Sequence, residues 1–137
     1  MSLVLDASLT LSWYFEDERT SAADAVLDQV VARGAIAPLL WRLEVANGFQ
    51  MAIRRKRIDR EFRDRALRNL ALLPIAVNPE SDMYVWSSTL RLADQFDLTI
   101  YDASYLELAQ RRGLPLASLD EKLGDACKAL KIPTMGA

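Results

Sequence analysis

The apolar positions of this chain fall into short continuous runs that alternate with longer helical stripes. Leu3-Val4-Leu5 is apolar on both faces, as expected of a buried central strand rather than a half-exposed one. It is bounded by Asp6, Ala7 and Ser8. Ala7 to Phe15 has helical spacing, with Leu9, Trp13 and either Leu11 or Phe15 turned inward. After the acidic break Glu16-Asp17-Glu18, Thr20-Ser21 opens a second helix that Arg33-Gly34 closes. Ala35-Ile36-Ala37 is a short strand ended by Pro38. Leu39 to Arg57 is a long helix whose inward stripe takes in Leu40, Leu43, Asn47 and Met51. Asp59 caps a helix through Phe62, Ala66, Leu67 and Leu70. Pro74-Ile75-Ala76-Val77 is a third strand, stopped by Asn78-Pro79. Asp82 to Phe96 reads as one amphipathic helix with Trp86, Leu90 and Ala93 on one side. Thr99 to Arg112 is a helix closed by Gly113, Leu114 to Leu119 a strand, Asp120 to Lys131 the last long helix, and Ile132 to Met135 a fifth short strand.

Strands alternating with helices imply an α/β fold of three layers, a central parallel sheet of about five short strands flanked by helices. The 137 residues suit a single domain, 1–137, with a sizeable core. No apolar stretch reaches the roughly 20 residues of a membrane span, and the acid at Asp6, with no basic residue before it, does not suit a secretory signal. Cys127 is the only cysteine, which excludes an internal disulfide and suits a reducing cytoplasm. Helical spacing with Leu123 and Leu130 makes it a core thiol.

Histidine is absent, which removes Ser-His and Cys-His nucleophiles and every His-ligated metal site. The five glycines are scattered, so no phosphate-binding loop or dinucleotide fingerprint is present. Net charge is −2, but it is unevenly spread. Arg54, Arg55, Lys56, Arg57, Arg60, Arg63, Arg65 and Arg68 face only Asp59, Glu61 and Asp64 nearby, while the rest of the chain is acidic. Such a hairpin could steer a nucleic-acid backbone, although a solvated helix pair laced with salt bridges is the simpler reading. The aromatic cluster Trp13-Tyr14-Phe15 is open to two readings in equal measure, core packing or a partner surface.

Four acids interrupt apolar surroundings. Asp6 follows the first strand and Asp120 the fourth. In an open parallel sheet, ligands bind beyond the carboxyl ends of strands where strand order reverses, so if these two strands flank that point, both acids face one crevice. Glu44 lies within a helix, with Asn47 one turn on. Gly48 follows, where a mid-helix glycine costs about 1 kcal/mol and would be tolerated if another backbone came close. Asp102 shares a helical face with Leu106 and Ala109. Taken singly, Asp6, Asp102 and Asp120 are more readily helix caps or first-turn acids, with Ser118 and Glu121 forming a capping box. Glu44 has no such duty. Together they read differently: two carboxylates about 4 Å apart repel by roughly 4 kcal/mol at an effective dielectric of 20. Converging acids therefore call for a cation, and oxygen-only ligands select Mg²⁺ or Mn²⁺.

The segments Leu3-Val4-Leu5-Asp6-Ala7-Ser8, Leu43-Glu44-Val45-Ala46-Asn47, Tyr101-Asp102-Ala103-Ser104-Tyr105-Leu106 and Leu116-Ala117-Ser118-Leu119-Asp120 occur in the order of a PIN-domain ribonuclease. The whole chain resembles the single-domain VapC-type toxins of toxin–antitoxin pairs. The resemblance implies metal-binding and catalytic roles for Asp6, Glu44, Asp102 and Asp120, with Ser8, Asn47 and Ser118 supporting them. It implies a PIN-like (Rossmann-like) fold, Mg²⁺- or Mn²⁺-dependent endoribonuclease activity in the cytoplasm, a homodimer, and a cognate antitoxin that plugs the acidic cleft. Gly48 stands where the family more often has alanine.

Two other readings of the acids compete. A phosphoryl-transfer domain needs an acceptor aspartate after the third strand, where this chain has Asn78, or an Asp-x-Asp motif, where it has Asp6-Ala7-Ser8. A non-catalytic scaffold for protein or RNA contacts does not require the intact acid quartet.

Overall fold

The computed structural model describes residues 2–137. Five parallel strands form one sheet: β1 (Val4–Leu5), β2 (Ala35–Pro38), β3 (Ile75–Asn78), β4 (Leu116–Ala117) and β5 (Thr134–Met135), in the order β3-β2-β1-β4-β5. The sheet lies between layers of helices: α1 (Ala7–Ser12), α2 (Ser21–Arg33), α3 (Leu40–Arg54), α4 (Arg60–Ala71), α5 (Leu90–Phe96), α6 (Ile100–Arg112) and α7 (Glu121–Ala129). The three-layer α/β expectation holds. Successive strands build outward from β1 to β3, and β4 then returns to the other side of β1. Strand order therefore reverses between β1 and β4, the pair expected to flank the ligand crevice.

The strand cores explain their position. Val4, Leu5, Ala35, Ala37 and Ala117 have no exposed surface, and Leu116 has 1%, as a sheet covered on both faces requires. Thr20, Asp59 and Thr99 cap their helices by accepting the amides of Ala23, Phe62 and Asp102. Gly34 and Gly113 follow their helices at φ +76° and +64°, a region that glycine enters without a Cβ clash. Cys127 is buried, as expected, and burial pushes its thiol up to about 11. Among the described residues no helix is long and apolar enough to cross a membrane.

Two helical faces differ from expectation. The core stripe of α3 is Trp41, Val45, Phe49 and Ala52, while Leu43 is 75% exposed and Asn47 is also exposed. The stretch after β3 is not one α-helix. Pro79–Tyr84 is a 3₁₀ helix, Val85–Thr89 is a π turn, and only Leu90–Phe96 is α. The wider π turn shifts the phase of the following residues. Thr89, Leu92 and Ala93 point inward, and Trp86 is 90% exposed. Arg111 anchors the 3₁₀ segment from α6. Its guanidinium lies 4.4 Å from the Tyr84 ring centroid and reaches Glu80, Asn78 and Ser81, while pairing with buried Glu107 at 2.7 Å.

The aromatic cluster resolves in favour of packing at two of its three members. Trp13 and Phe15 are buried, and Trp13 Nε1 donates to the Ala23 carbonyl at 2.9 Å. Tyr14 is half-buried, edge-on to Phe49. Part of the basic hairpin is neutralised internally. Arg57 lies over Phe15 and pairs with Asp17 and Glu18, and Arg63 and Arg65 pair with Asp64 and Glu61. Gly48 accommodates the side chain of Leu11 from α1, rather than a neighbouring backbone.

Candidate active site

The register of β1 on β4 pairs Val4 with Leu116 and Leu5 with Ala117, so the next residues, Asp6 and Ser118, stand side by side. Ser118 Oγ donates to Asp6 Oδ2 at 2.6 Å, and Ser8 Oγ donates to the same oxygen at 2.8 Å. Although Asp6 precedes α1, its side chain makes no capping hydrogen bond to that helix. The capping reading fails for this acid: two hydroxyls hold its carboxylate at the mouth of the crevice. It is 4% exposed. Burial raises its pKa above the ordinary aspartate value, with the charge of Asp120 adding to the rise, while the hydroxyls of Ser118 and Ser8 oppose it.

Asp120 does cap. Its Oδ1 accepts the Leu123 amide at 2.8 Å, making Asp120 itself the N-cap of α7, in place of the expected Ser118–Glu121 box. Ser118 Oγ accepts the Asp120 amide at 3.0 Å. One hydroxyl therefore links the two strand-end acids. Strand β4 ends at Ala117, so Ser118 rather than Asp120 is the register partner of Asp6, and Asp120 enters from the loop beyond.

Glu44 comes from the other flank, on α3. Its Oε1 accepts the Tyr105 hydroxyl at 2.6 Å, and among the described residues no other protein donor reaches its carboxylate. Burial raises its pKa, Tyr105 opposes, and the charges of Asp6 and Asp102 raise it further. Asp102, in the first turn of α6, is half-buried. Its pKa is raised by burial and by the charges of Asp120 and Asp6, and lowered by Thr99 and Lys122. The four acids thus share one field, supplied by β1, α3, α6 and the β4–α7 loop. Among the described residues none of them is ion-paired.

The supporting residues divide. Ser8 and Ser118 contact Asp6 as expected. Asn47 is exposed and makes no side-chain hydrogen bond among the described residues. Sequence reasoning missed Tyr105 as a site residue, although it lies one turn beyond Asp102 on the buried face of α6. It also missed the Glu107–Arg111 pair, whose i, i+4 spacing was visible.

Hard divalent cations fit this donor set. All four candidate ligands are carboxylates, the side-chain donors on Asp6 are neutral hydroxyls, and among the described residues the one cation that acts on the four, Lys122 on Asp102, forms no ion pair with it. Among the described residues no three acids already stand as a closed ligand cluster. Mg²⁺ does not require one, since it typically keeps several waters and uses one or two carboxylates.

A family model described as "PIN domain" matches residues 3–129. Ribonuclease VapC3 from Pyrobaculum aerophilum is 30% identical over 133 residues, covering 97% of this chain and 100% of that protein. The crystal structure of PAE2754 from Pyrobaculum aerophilum superimposes with a TM-score of 0.70 at 25% identity, covering 98% of this chain and 83% of that one. FitAcB from Neisseria gonorrhoeae matches with a TM-score of 0.65 over 96% of this chain and 95% of that one, and at 13% identity this is a likeness of fold alone.

Proposed function

The chain belongs to the PIN-domain family as a VapC-type member, and on that premise we propose that it is a metal-dependent endoribonuclease, the toxin of a toxin–antitoxin pair. What supports this reading is the match to a PIN-domain ribonuclease together with the charge coupling of Asp6 to Glu44, Asp102 and Asp120 beside the β1/β4 switch point, none of the four being ion-paired among the described residues. All four acids are assigned to the metal and to catalysis. Mg²⁺ or Mn²⁺ supplies water activation and stabilisation of the charge that develops on a phosphodiester in the transition state. Asp6 is held by two hydroxyls, those of Ser8 and Ser118. One of the four acids, or a hydroxide on the metal, would take the proton of the attacking water. The substrate is RNA, and the protein acts as a single domain in the cytoplasm.

Two protein partners belong to the same proposal. A cognate antitoxin silences the enzyme by covering the acids. A second copy of this chain covers exposed apolar residues, Leu39, Leu43 and Tyr101 around one depression and Met83, Trp86 and Leu90 on the neighbouring segment. The centre of a homodimer interface is typically depleted of charge in this way. Leu43 and Tyr101 directly precede Glu44 and Asp102 in sequence, so this surface adjoins the site.

Induced expression in a bacterial host tests the toxin reading. The wild-type chain arrests growth, and Asp6→Asn, accumulating to the same level, does not. Equal arrest by both would overturn it.

A further inference from the structure

Tyr105 has no part in the proton and charge chemistry above, yet its surroundings are unusual for a core tyrosine. It lies mid-α6 with 0% exposure. A phenylalanine would fill the same volume, so ring packing does not explain the hydroxyl. That hydroxyl donates at 2.6 Å to Glu44 Oε1, a carboxylate on another element 61 positions away in the sequence. Asp6 is close enough for its charge to act on the same phenol.

The other strand-end acids have their own local restraints: Asp6 has two hydroxyls and Asp120 has the Leu123 amide. Glu44 is longer, with one more rotatable bond than an aspartate, and it springs from the edge of α3 where Leu43, Ala46 and Asn47 are exposed. Nothing on α3 donates to it. Left alone, its carboxylate would swing toward water and away from three like charges.

We infer that Tyr105 is a positioning residue, whose hydroxyl fixes Glu44 Oε1 so that Oε2 is presented to the crevice shared with Asp6 and to a divalent cation there. The inference rests on the reading of the four acids as a cation site. It adds that the α6 core, rather than α3, sets the geometry of the α3 ligand. Partners that orient a ligand in this way typically contribute 10–100-fold to metal affinity.

The test is calorimetric titration of the purified full chain with Mn²⁺, with circular dichroism as the folding control. Tyr105→Phe stays folded and binds Mn²⁺ at least about 10-fold more weakly than wild type. In a Glu44→Gln background the same change has no further effect, because the carboxylate it positions is gone. Glu44→Asp keeps the charge and leaves Tyr105 in the core, and it loses as much affinity as Glu44→Gln because the shorter acid cannot reach the hydroxyl. Should Tyr105→Phe not fold, Glu44→Asp decides the question by itself. Wild-type affinity in folded Tyr105→Phe, wild-type affinity in Glu44→Asp, or an equal loss from Tyr105→Phe in both backgrounds overturns the inference while leaving the cation site standing. A wild-type chain that binds no Mn²⁺ overturns the site and the inference together.

Discussion

Ser118 and Asp6 are 112 positions apart in the sequence and 2.6 Å apart in the fold, joined by a hydrogen bond across two parallel strands. The same Ser118 hydroxyl accepts the Asp120 amide, so a single side chain couples the first acid to the last. Ser118→Ala removes both links. Stability falls by about 1.5–3 kcal/mol, the usual contribution of a hydrogen bond to a charged group, and urea unfolding measures it. Loss of a donor that lowers the Asp6 pKa also moves the acid limb of the pH–rate profile to higher pH.

The metal-free protein is more stable in mild acid than at neutrality. Asp6, Glu44 and Asp102 all have folded pKa values raised above their ordinary values, chiefly by burial. Between the unfolded and folded pKa values the native state holds more protons, so stability declines as pH rises through that window. Thermal unfolding in EDTA therefore shows Tm falling as pH rises above the ordinary carboxylate pKa values, and Mg²⁺ restores it at neutral pH by binding only the folded state. Asp6→Asn, which removes the buried charge, raises the metal-free Tm at neutral pH. A flat metal-free Tm profile would contradict the shared field.

Arg111→Ala is strongly destabilising. It leaves Glu107, whose side chain is 4% exposed, as a buried and unpaired carboxylate, a situation that typically costs about 3–5 kcal/mol. It also frees the Pro79–Tyr84 segment. Replacing both partners with Arg111→Met and Glu107→Leu recovers most of the loss, as urea unfolding of the single and double variants would show.

Much of this architecture is legible in the residues. The all-apolar run Leu3-Val4-Leu5 can only be a covered strand, and the acid at its end marks the crevice. Periodicity fails where it cannot know what covers a face. On α3 two stripes compete, Leu40-Leu43 and Trp41-Val45-Phe49-Ala52, and only the second is buried by this chain. Counting in steps of 3.6 turns Trp86 inward, a count that the π turn at Val85–Thr89 breaks. Nothing local announces that turn. Arg111, more than twenty residues further on, holds the 3₁₀ segment that leads into it through Glu80, Ser81 and Tyr84. Tyr105 is hidden for the same reason, since its significance depends on Glu44 in another element.

The exposed face around Trp86 gives a test of the dimer. Trp86→Glu places a charge on the most exposed aromatic side chain there, and light scattering then gives the mass of one chain where the wild type gives two. Wild-type protein at the mass of one chain, at the same concentrations, would remove the second copy from the account.

Asp6, Glu44, Asp102 and Asp120 are proposed to cleave RNA with a divalent ion. The most direct measurement is cleavage of a labelled RNA mixture by the purified full chain, in Mn²⁺ and in EDTA, beside Asp6→Asn with an unchanged circular dichroism spectrum. Cleavage by the wild type that EDTA stops, Mn²⁺ restores and Asp6→Asn lacks is the predicted result. Cleavage that persists in EDTA or in folded Asp6→Asn would contradict it.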